Sequence, residues 1–304
     1  MLDALRSGGK TILAAALSHV EEAPEAPETL ALLDAAYATP IAHVIGVTGP
    51  PGVGKSTLIG ALIGAWRAAG RSVAVIAVDP SSRISGGALL GDRMRLRTDP
   101  DDQGVFVRSM AARDRLGGLA AFTISAMVVM RALFDIVVIE TVGVGQSETD
   151  VAGAADTVVL CIQPGSGDSL QFMKAGIVEI PHVMLVTKAD TGDAAERARI
   201  DATAALRAGG RGAAADWRVP VLTVSAASGA GIAGLVATLD AHAASLGVED
   251  RLARRRRVQE DEWLVEAVRE RFGREGLRRA GPDLGGGTGS PFRRLAELGR
   301  LLGG

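Results

Sequence analysis

The chain has 304 residues, 47% of them hydrophobic, and a formal net charge of −2. Such a length supports one large domain or two ordinary ones, and the near-neutral charge excludes a bulk electrostatic claim on nucleic acid or an anionic membrane. One cysteine, Cys161, excludes an internal disulfide, and four histidines scattered along the sequence (His19, His43, His182, His242) give no spacing for a structural zinc or nickel site.

Residues 1–39 read as alanine-rich helix with a Glu-Pro-rich link from Glu21 to Glu28. The early apolar run Thr11–Leu17 is short and meets His19 and Glu21-Glu22, so it makes a poor secretory signal. From Ala42 onward strand and helix alternate. Strands are expected near 42–48, 72–78, 104–108, 135–140, 157–162, 182–187 and 219–224, and helices near 55–69, 116–133, 168–178, 193–208 and 230–246. The strands are unbroken apolar runs such as Asp135-Ile136-Val137-Val138-Ile139, the pattern of parallel strands covered on both faces. Leu116–Phe134, the longest apolar stretch, is interrupted by Arg131 and reads as a buried helix rather than a membrane span. A cytoplasmic location is expected.

After about Asp250 the character changes. Arg254–Arg257 are followed by Glu260, Asp261 and Glu262, which predicts a solvated helix with intrahelical ion pairs; a phosphate patch is the other reading. Trp263, Leu264, Val268 and Phe272 give that helix an apolar face, and a glycine-rich hinge at Leu284–Pro291 precedes a last helix to Leu302. Three parts result: a helical N-terminal extension (1–40), a nucleotide-binding domain (41–248) and a helical C-terminal extension (249–304).

Residues 49–56, Gly49-Pro50-Pro51-Gly52-Val53-Gly54-Lys55-Ser56, fill every fixed position of G-x-x-x-x-G-K-[ST] between an expected strand and an expected helix beginning at Thr57. The glycines let backbone N–H groups curl around phosphate oxygens at a helix amino end. Lys55 is expected to reach the β- and γ-phosphates and Ser56 to ligate Mg²⁺. The fold class is therefore α/β, a P-loop NTPase three-layer fold with a mostly parallel sheet and ligands at the carboxyl ends of the strands.

The base is chosen further along. Thr187-Lys188-Ala189-Asp190 follows an apolar run and has the form of a guanine clamp: Asp190 can accept from guanine N1–H and N2–H together, which adenine cannot offer. Ser225-Ala226-Ala227 would supply a backbone contact to guanine O6. Glu140-Thr141-Val142-Gly143 closes a strand, with the Glu140 acid facing the metal end of the phosphate loop and the Gly143 N–H near the γ-phosphate. Gln146 or Glu148, on the same loop, could order the attacking water. Asp79 and Asp92 flank a glycine-bearing stretch suited to Mg²⁺ or its waters and to sensing the γ-phosphate. GTP or GDP with Mg²⁺ is the expected ligand set.

The segments GPPGVGKST, AVDPSSRISGGALLGDRMRL, VFVRSMAARDRLGGLA, DIVVIETVGVGQSETDVA, GDSLQFMKAGIVEI, TKAD and SAASGAGI occur in this order over roughly residues 10–250. In them the chain resembles the MeaB/ArgK-type P-loop GTPases, the family of the human methylmalonic aciduria type A protein. The resemblance implies a GTPase that associates with a cobalamin-dependent acyl-CoA mutase, methylmalonyl-CoA mutase foremost, gating adenosylcobalamin delivery and protecting the mutase from inactivation. It also implies a homodimer formed through the C-terminal helices, and Mg²⁺ or switch roles for Asp79, Asp92 and Glu140. Two departures stand out: Thr187 occupies a position where the family commonly has Asn, and the tail is short and glycine-interrupted. Residues 167–180 fit a mutase-facing helix and an amphipathic core helix equally well. Two other classes compete. A metal-delivery GTPase of the hydrogenase or urease maturation type predicts clustered Cys and His, and a transport-linked kinase predicts an H-R-D-type loop that the sequence lacks.

Overall fold

In a computed structural model, the structure describes residues 2–80, 96, 98–112, 121–143, 150–165, 180–208, 217–281, 284 and 289–303. The N-terminal extension forms α1 (Leu2–Ser7), α2 (Gly9–Glu22) and α3 (Pro27–Ala38). Pro27 sits in the first turn of α3, where its missing N–H costs no hydrogen bond. The link between α2 and α3 is shorter than the charge pattern suggested, because Glu21 and Glu22 still belong to α2.

Seven strands follow: β1 (His43–Thr48), β2 (Val73–Pro80), β3 (Val105–Ala112), β4 (Ile136–Glu140), β5 (Thr157–Ile162), β6 (Val183–Val186) and β7 (Val221–Thr223). They form one sheet in the order β3-β2-β4-β1-β5-β6-β7, parallel at each pairing. Helices α4 (Lys55–Ala68), α5 (Ala121–Arg131), α6 (Asp193–Ala208) and α7 (Ile232–Leu246) alternate with the strands. Side chains alternate across the sheet. Val137 and Ile139 of β4 face Leu17, Leu33 and Met130 of α2, α3 and α5, whereas Ile136 and Val138 face Leu58, Leu62, Trp66 and Leu235 of α4 and α7. Burial on both faces explains the unbroken apolar strand sequences, and the three-layer α/β fold is as expected. The helix expected at 168–178 lies outside the described residues.

Helix α8 (Arg251–Ala280) bends at Gly273 (φ 67°) and is followed by α9 (Pro291–Leu302), capped by Ser290, whose hydroxyl accepts from Arg293 N. Leu264, Val268, Ala280 and Leu298 bury one another between the two. The tail is tied to the N-terminal helices of its own chain: Asp34 accepts from Ser290 and Arg293, and Tyr37 donates to Glu260 at 2.7 Å.

The arginine run corrects the sequence reading. Arg254 and Arg257 are exposed, but Arg255 and Arg256 turn inward. Arg256 forks onto Asp156 (Nε–Oδ1 2.9 Å, Nη2–Oδ2 2.6 Å), and Arg255 lies 2.6 Å from His182 Nε2. Asp156 is 1% exposed, and a buried carboxylate needs a counter-charge far more than a solvated glutamate does. Intrahelical pairs occur further along α8, at Glu266–Arg269 and Glu275–Arg278.

Three of the histidines that are scattered in sequence also converge. Thr157 Oγ1 lies 2.6 Å from both His43 Nε2 and His242 Nδ1, and the rings of His182 and His242 are 4.5 Å apart. His43 opens β1, His182 precedes β6 and His242 comes from α7, all meeting around Thr157 at the start of β5, at the end of the sheet opposite the phosphate loop. Burial pushes His182 down to about 2 and His242 to about 3, and lowers His43 as well, so all three are neutral at pH 7. Among the described residues, no helix is long and apolar enough to cross a membrane.

Candidate nucleotide-binding site

Strand β1 delivers the phosphate loop from the centre of the sheet. The loop, Gly49–Gly54, runs directly into α4, whose first residues are Lys55 and Ser56, with Thr57 exposed in the same turn. Val53 N donates to Pro50 O within the loop. Lys55, 7% exposed, folds back so that its Nζ donates to Gly49 O at 2.8 Å and Pro50 O at 3.2 Å.

Register places the acid. Val47 pairs with Glu140 across β1 and β4, which sets the Glu140 carboxylate beside the start of α4. Ser56 Oγ donates to Glu140 Oε1 at 2.8 Å, and Glu140 is 4% exposed. A hydroxyl and a carboxylate oxygen converging at one point form the hard-oxygen donor set that Mg²⁺ selects, so these residues fit the ion. Thr141 then donates to Thr48 Oγ1 at 2.9 Å, tying the two strand ends together. Gly143 has φ 79°, and a Cβ there would meet Gly49 O at 1.9 Å and Lys55 Nζ at 2.8 Å. Only glycine permits this close backbone approach.

The base-side elements come from the ends of β6 and β7. Thr187 is buried, and its hydroxyl reaches Val53 O of the phosphate loop at 2.7 Å. Lys188 adopts left-handed backbone (φ 54°), and its Nζ donates to Gly52 O at 3.1 Å and Gln163 Oε1 at 2.6 Å. Ala189 N donates to Val224 O at 2.9 Å, joining this segment to Ser225-Ala226-Ala227, in which Ser225 is 1% exposed. A hydrogen bond from the Ser225 side chain holds the Asp190 carboxyl below the usual carboxylate range, so it is ionised and acceptor-only at neutral pH. Asp190 itself is exposed. Its desolvation must therefore come from the arriving base.

Phosphate loop, β4 terminus, Thr187–Asp190 and Ser225–Ala227 thus form one hydrogen-bonded unit. The Asp79 side chain, Asp92, Gln146 and Glu148 lie outside the described residues; the backbone of β2 carries Asp79 to the same carboxyl end, two positions beyond Ala77, the register partner of Glu140. Residue-by-residue reading missed Gln163 and the Thr48–Thr141 pair. The available signal was a polar residue directly after an apolar strand at the end that holds the phosphate loop. Cys161 is fully buried, and burial pushes its thiol up to about 12, which leaves it inert.

The family described as Methylmalonyl Co-A mutase-associated GTPase MeaB matches residues 13–278. A protein of Pyrococcus horikoshii named a GTPase is 39% identical over 264 residues, covering 86% of this chain and 83% of its own. The mitochondrial methylmalonic aciduria type A homolog of Mus musculus is 37% identical over 235 residues, covering 76% of this chain and 56% of its own. Among solved structures, the crystal structure of an LAO/AO transport system kinase superposes with a TM-score of 0.71 at 28% identity, covering 100% of this chain and 96% of the other. On the extent of the family match and these identities, the chain belongs to the methylmalonyl-CoA mutase-associated GTPase MeaB family.

Proposed function

We propose that this protein binds GTP and GDP with Mg²⁺, hydrolyses GTP slowly on its own, and serves as a chaperone for a cobalamin-dependent acyl-CoA mutase, methylmalonyl-CoA mutase being the first candidate. The observation that carries the nucleotide reading is the direct tie between base and phosphate elements: Thr187 to Val53 and Lys188 to Gly52. A base seated on Asp190 is thereby held at a fixed distance from the phosphate loop.

Each residue has a role in this reading. Backbone N–H groups of the 49–57 segment, other than the two prolines Pro50 and Pro51, hold phosphate oxygens, and Lys55 exchanges two carbonyl partners for the β- and γ-phosphates. Asp190 and the Ser225-Ala226-Ala227 backbone select guanine, since a base without the matching donors leaves a desolvated carboxylate unpaired. Ser56 and Glu140 would hold Mg²⁺, with Asp79 and Asp92 as further ligands or water partners; the ion would neutralise charge on the phosphates. Gly143 supplies an N–H toward the γ-phosphate, and Gln146 orders the attacking water. The 41–248 segment is the GTPase domain, flanked by helical extensions, the C-terminal of which is the homodimer contact. The protein works in the cytoplasm.

The mutase role is supported by the family description and by the name of the mouse relative. A metal-delivery role finds no such support: among the described residues no group of three or more His, Cys, Asp or Glu is placed to hold a metal, and the convergent histidines are engaged with Thr157, Val158 and Arg255. Calorimetric titration with GDP and ADP in the presence of Mg²⁺ tests the nucleotide reading. GDP should bind at least about a hundredfold more tightly; equal affinities would overturn the guanine assignment.

A further inference from the structure

Strands β5 and β6 stay in register to their last residues and beyond: Ile162 pairs with Val186, and Thr187 N donates to Ile162 O at 2.9 Å. Gln163 after β5 and Lys188 after β6 therefore emerge side by side. Lys188 takes left-handed backbone (φ 54°), which a lysine adopts rarely and keeps only where its surroundings enforce it. Here its own carbonyl accepts from Thr191 N at 3.0 Å and Thr191 Oγ1 at 2.8 Å, while Ala189 N is fixed on Val224 O. At the far end of the side chain, Nζ donates to Gln163 Oε1 at 2.6 Å and to Gly52 O at 3.1 Å. The four-carbon stem is thus held at both ends, and it spans from the segment that carries Asp190 to the phosphate loop.

Lys188 is exposed, and a solvated lysine left to itself samples many rotamers. The carbonyl of Gly52 is the longer of its two contacts. The half-buried Gln163 supplies the shorter one, from the neighbouring strand end. In water such a bond adds little to the stability of the empty protein. Once a ligand covers the stem, water leaves that side and the ammonium depends on its protein acceptors. The contribution of Gln163 therefore shows in binding and not in folding.

We infer that Gln163 is a positioning residue for the guanine nucleotide: it holds the Lys188 stem in place as a preformed apolar face for the base. This rests on the guanine-nucleotide reading above. A nucleotide held at both Asp190 and the phosphate loop lies alongside the stem, and a stem ordered in advance loses less side-chain freedom when the base arrives. A methylene face offers no hydrogen bonds with which to tell one purine from another. Gln163 therefore supplies affinity, and the choice of base stays with Asp190.

The test is a double-mutant cycle on the full chain. Gln163→Met keeps the length of the side chain and removes the oxygen acceptor; Lys188→Met removes the ammonium. Gln163→Met should weaken GDP and inosine diphosphate by the same factor, about fivefold or more, the worth of roughly one hydrogen bond. KM for GTP should rise as far, with kcat within about twofold of wild type, because slow chemistry makes KM report binding. In the Lys188→Met background the same substitution should change GDP affinity less than about twofold. Nucleotide-free Gln163→Met should melt within about 2 °C of wild type, and Gln163→Ala repeats the cycle with a shorter side chain. Wild-type GDP affinity in Gln163→Met, an equal loss in both backgrounds, or a melting point lowered well beyond that margin overturns the inference and leaves the GTPase reading intact. A wild-type chain that binds no GDP and hydrolyses no GTP overturns both.

Discussion

Gly143→Ala is the sharpest perturbation of the proposed site. At φ 79° an alanine costs about 1–2 kcal/mol in backbone strain alone. Its Cβ would stand 1.9 Å from Gly49 O, and the neighbour is backbone, which cannot rotate away as a side chain can. Overpacking of this kind adds roughly 1–3 kcal/mol, for a total of about 2–5 kcal/mol if the loop keeps its place. Against a typical stability of about 5–15 kcal/mol the loss is large. The alternative relief is withdrawal of the loop from the phosphate loop, which spends the strain on function instead. Thermal unfolding and GTP turnover measured on one sample separate the two routes. Melting should fall by several degrees, or turnover should fall at least about tenfold with GDP affinity less affected. Gly64→Ala is the control: this glycine is exposed in α4 with open space at its Cβ, and alanine should stabilise by up to about 1 kcal/mol. A Gly143→Ala protein with wild-type melting and wild-type turnover would refute the reasoning.

Four further outcomes are expected. Asp190→Asn should relax the preference for guanine over other purine bases, read as the ratio of GDP to ADP affinity; an unchanged ratio would remove Asp190 from the clamp. Lys55→Ala should abolish turnover in a phosphate-release assay, and retained activity would show that another cation serves the phosphates. Asp156→Ala strands the Arg256 guanidinium at a buried site and should cost about 3–5 kcal/mol in denaturant unfolding; a loss below about 1 kcal/mol would mean that the pair is solvated. Stability should also fall as pH drops below about 6.5: the unfolded chain then protonates its histidines, while native His182 and His242 stay neutral down to about 2 and 3. Each should cost roughly 2 kcal/mol at pH 5. Melting curves at pH 7.5, 6 and 5 check this, with a shallower slope expected for His182→Asn and a flat profile contradicting it.

Local signals were legible where local chemistry decides the structure. Strands such as Ile136–Glu140 read correctly because burial on both faces leaves no polar alternation. The phosphate loop and Thr187–Asp190 stand out in the sequence because their backbone demands restrict the residue types, and the structure brings them together through Val53 and Gly52. What failed was long-range pairing of charge. Arg255 and Arg256 have Glu260, Asp261 and Glu262 close by in sequence, and that proximity suggested a solvated helix. The partner that counts, Asp156, is buried a hundred positions upstream, where a counter-charge is worth most. The convergence of His43, His182 and His242 was not legible for the same reason: no sequence spacing announces a cluster assembled at the amino ends of β1, β5 and β6 and closed by α7. Gln163 carried a weak signal, since its role depends on where the Lys188 ammonium comes to rest.

The proposed mutase role requires nucleotide state and mutase binding to be coupled. By linkage, a partner that favours the ordered GTP state must itself be bound better by that state. The direct measurement is the affinity of the full chain for the methylmalonyl-CoA mutase of the same organism, with GDP and with a non-hydrolysable GTP analogue, alongside GTP turnover with and without the mutase. The account predicts tighter binding in the analogue state and a turnover rate raised by the mutase. Identical affinities together with an unstimulated rate would contradict it.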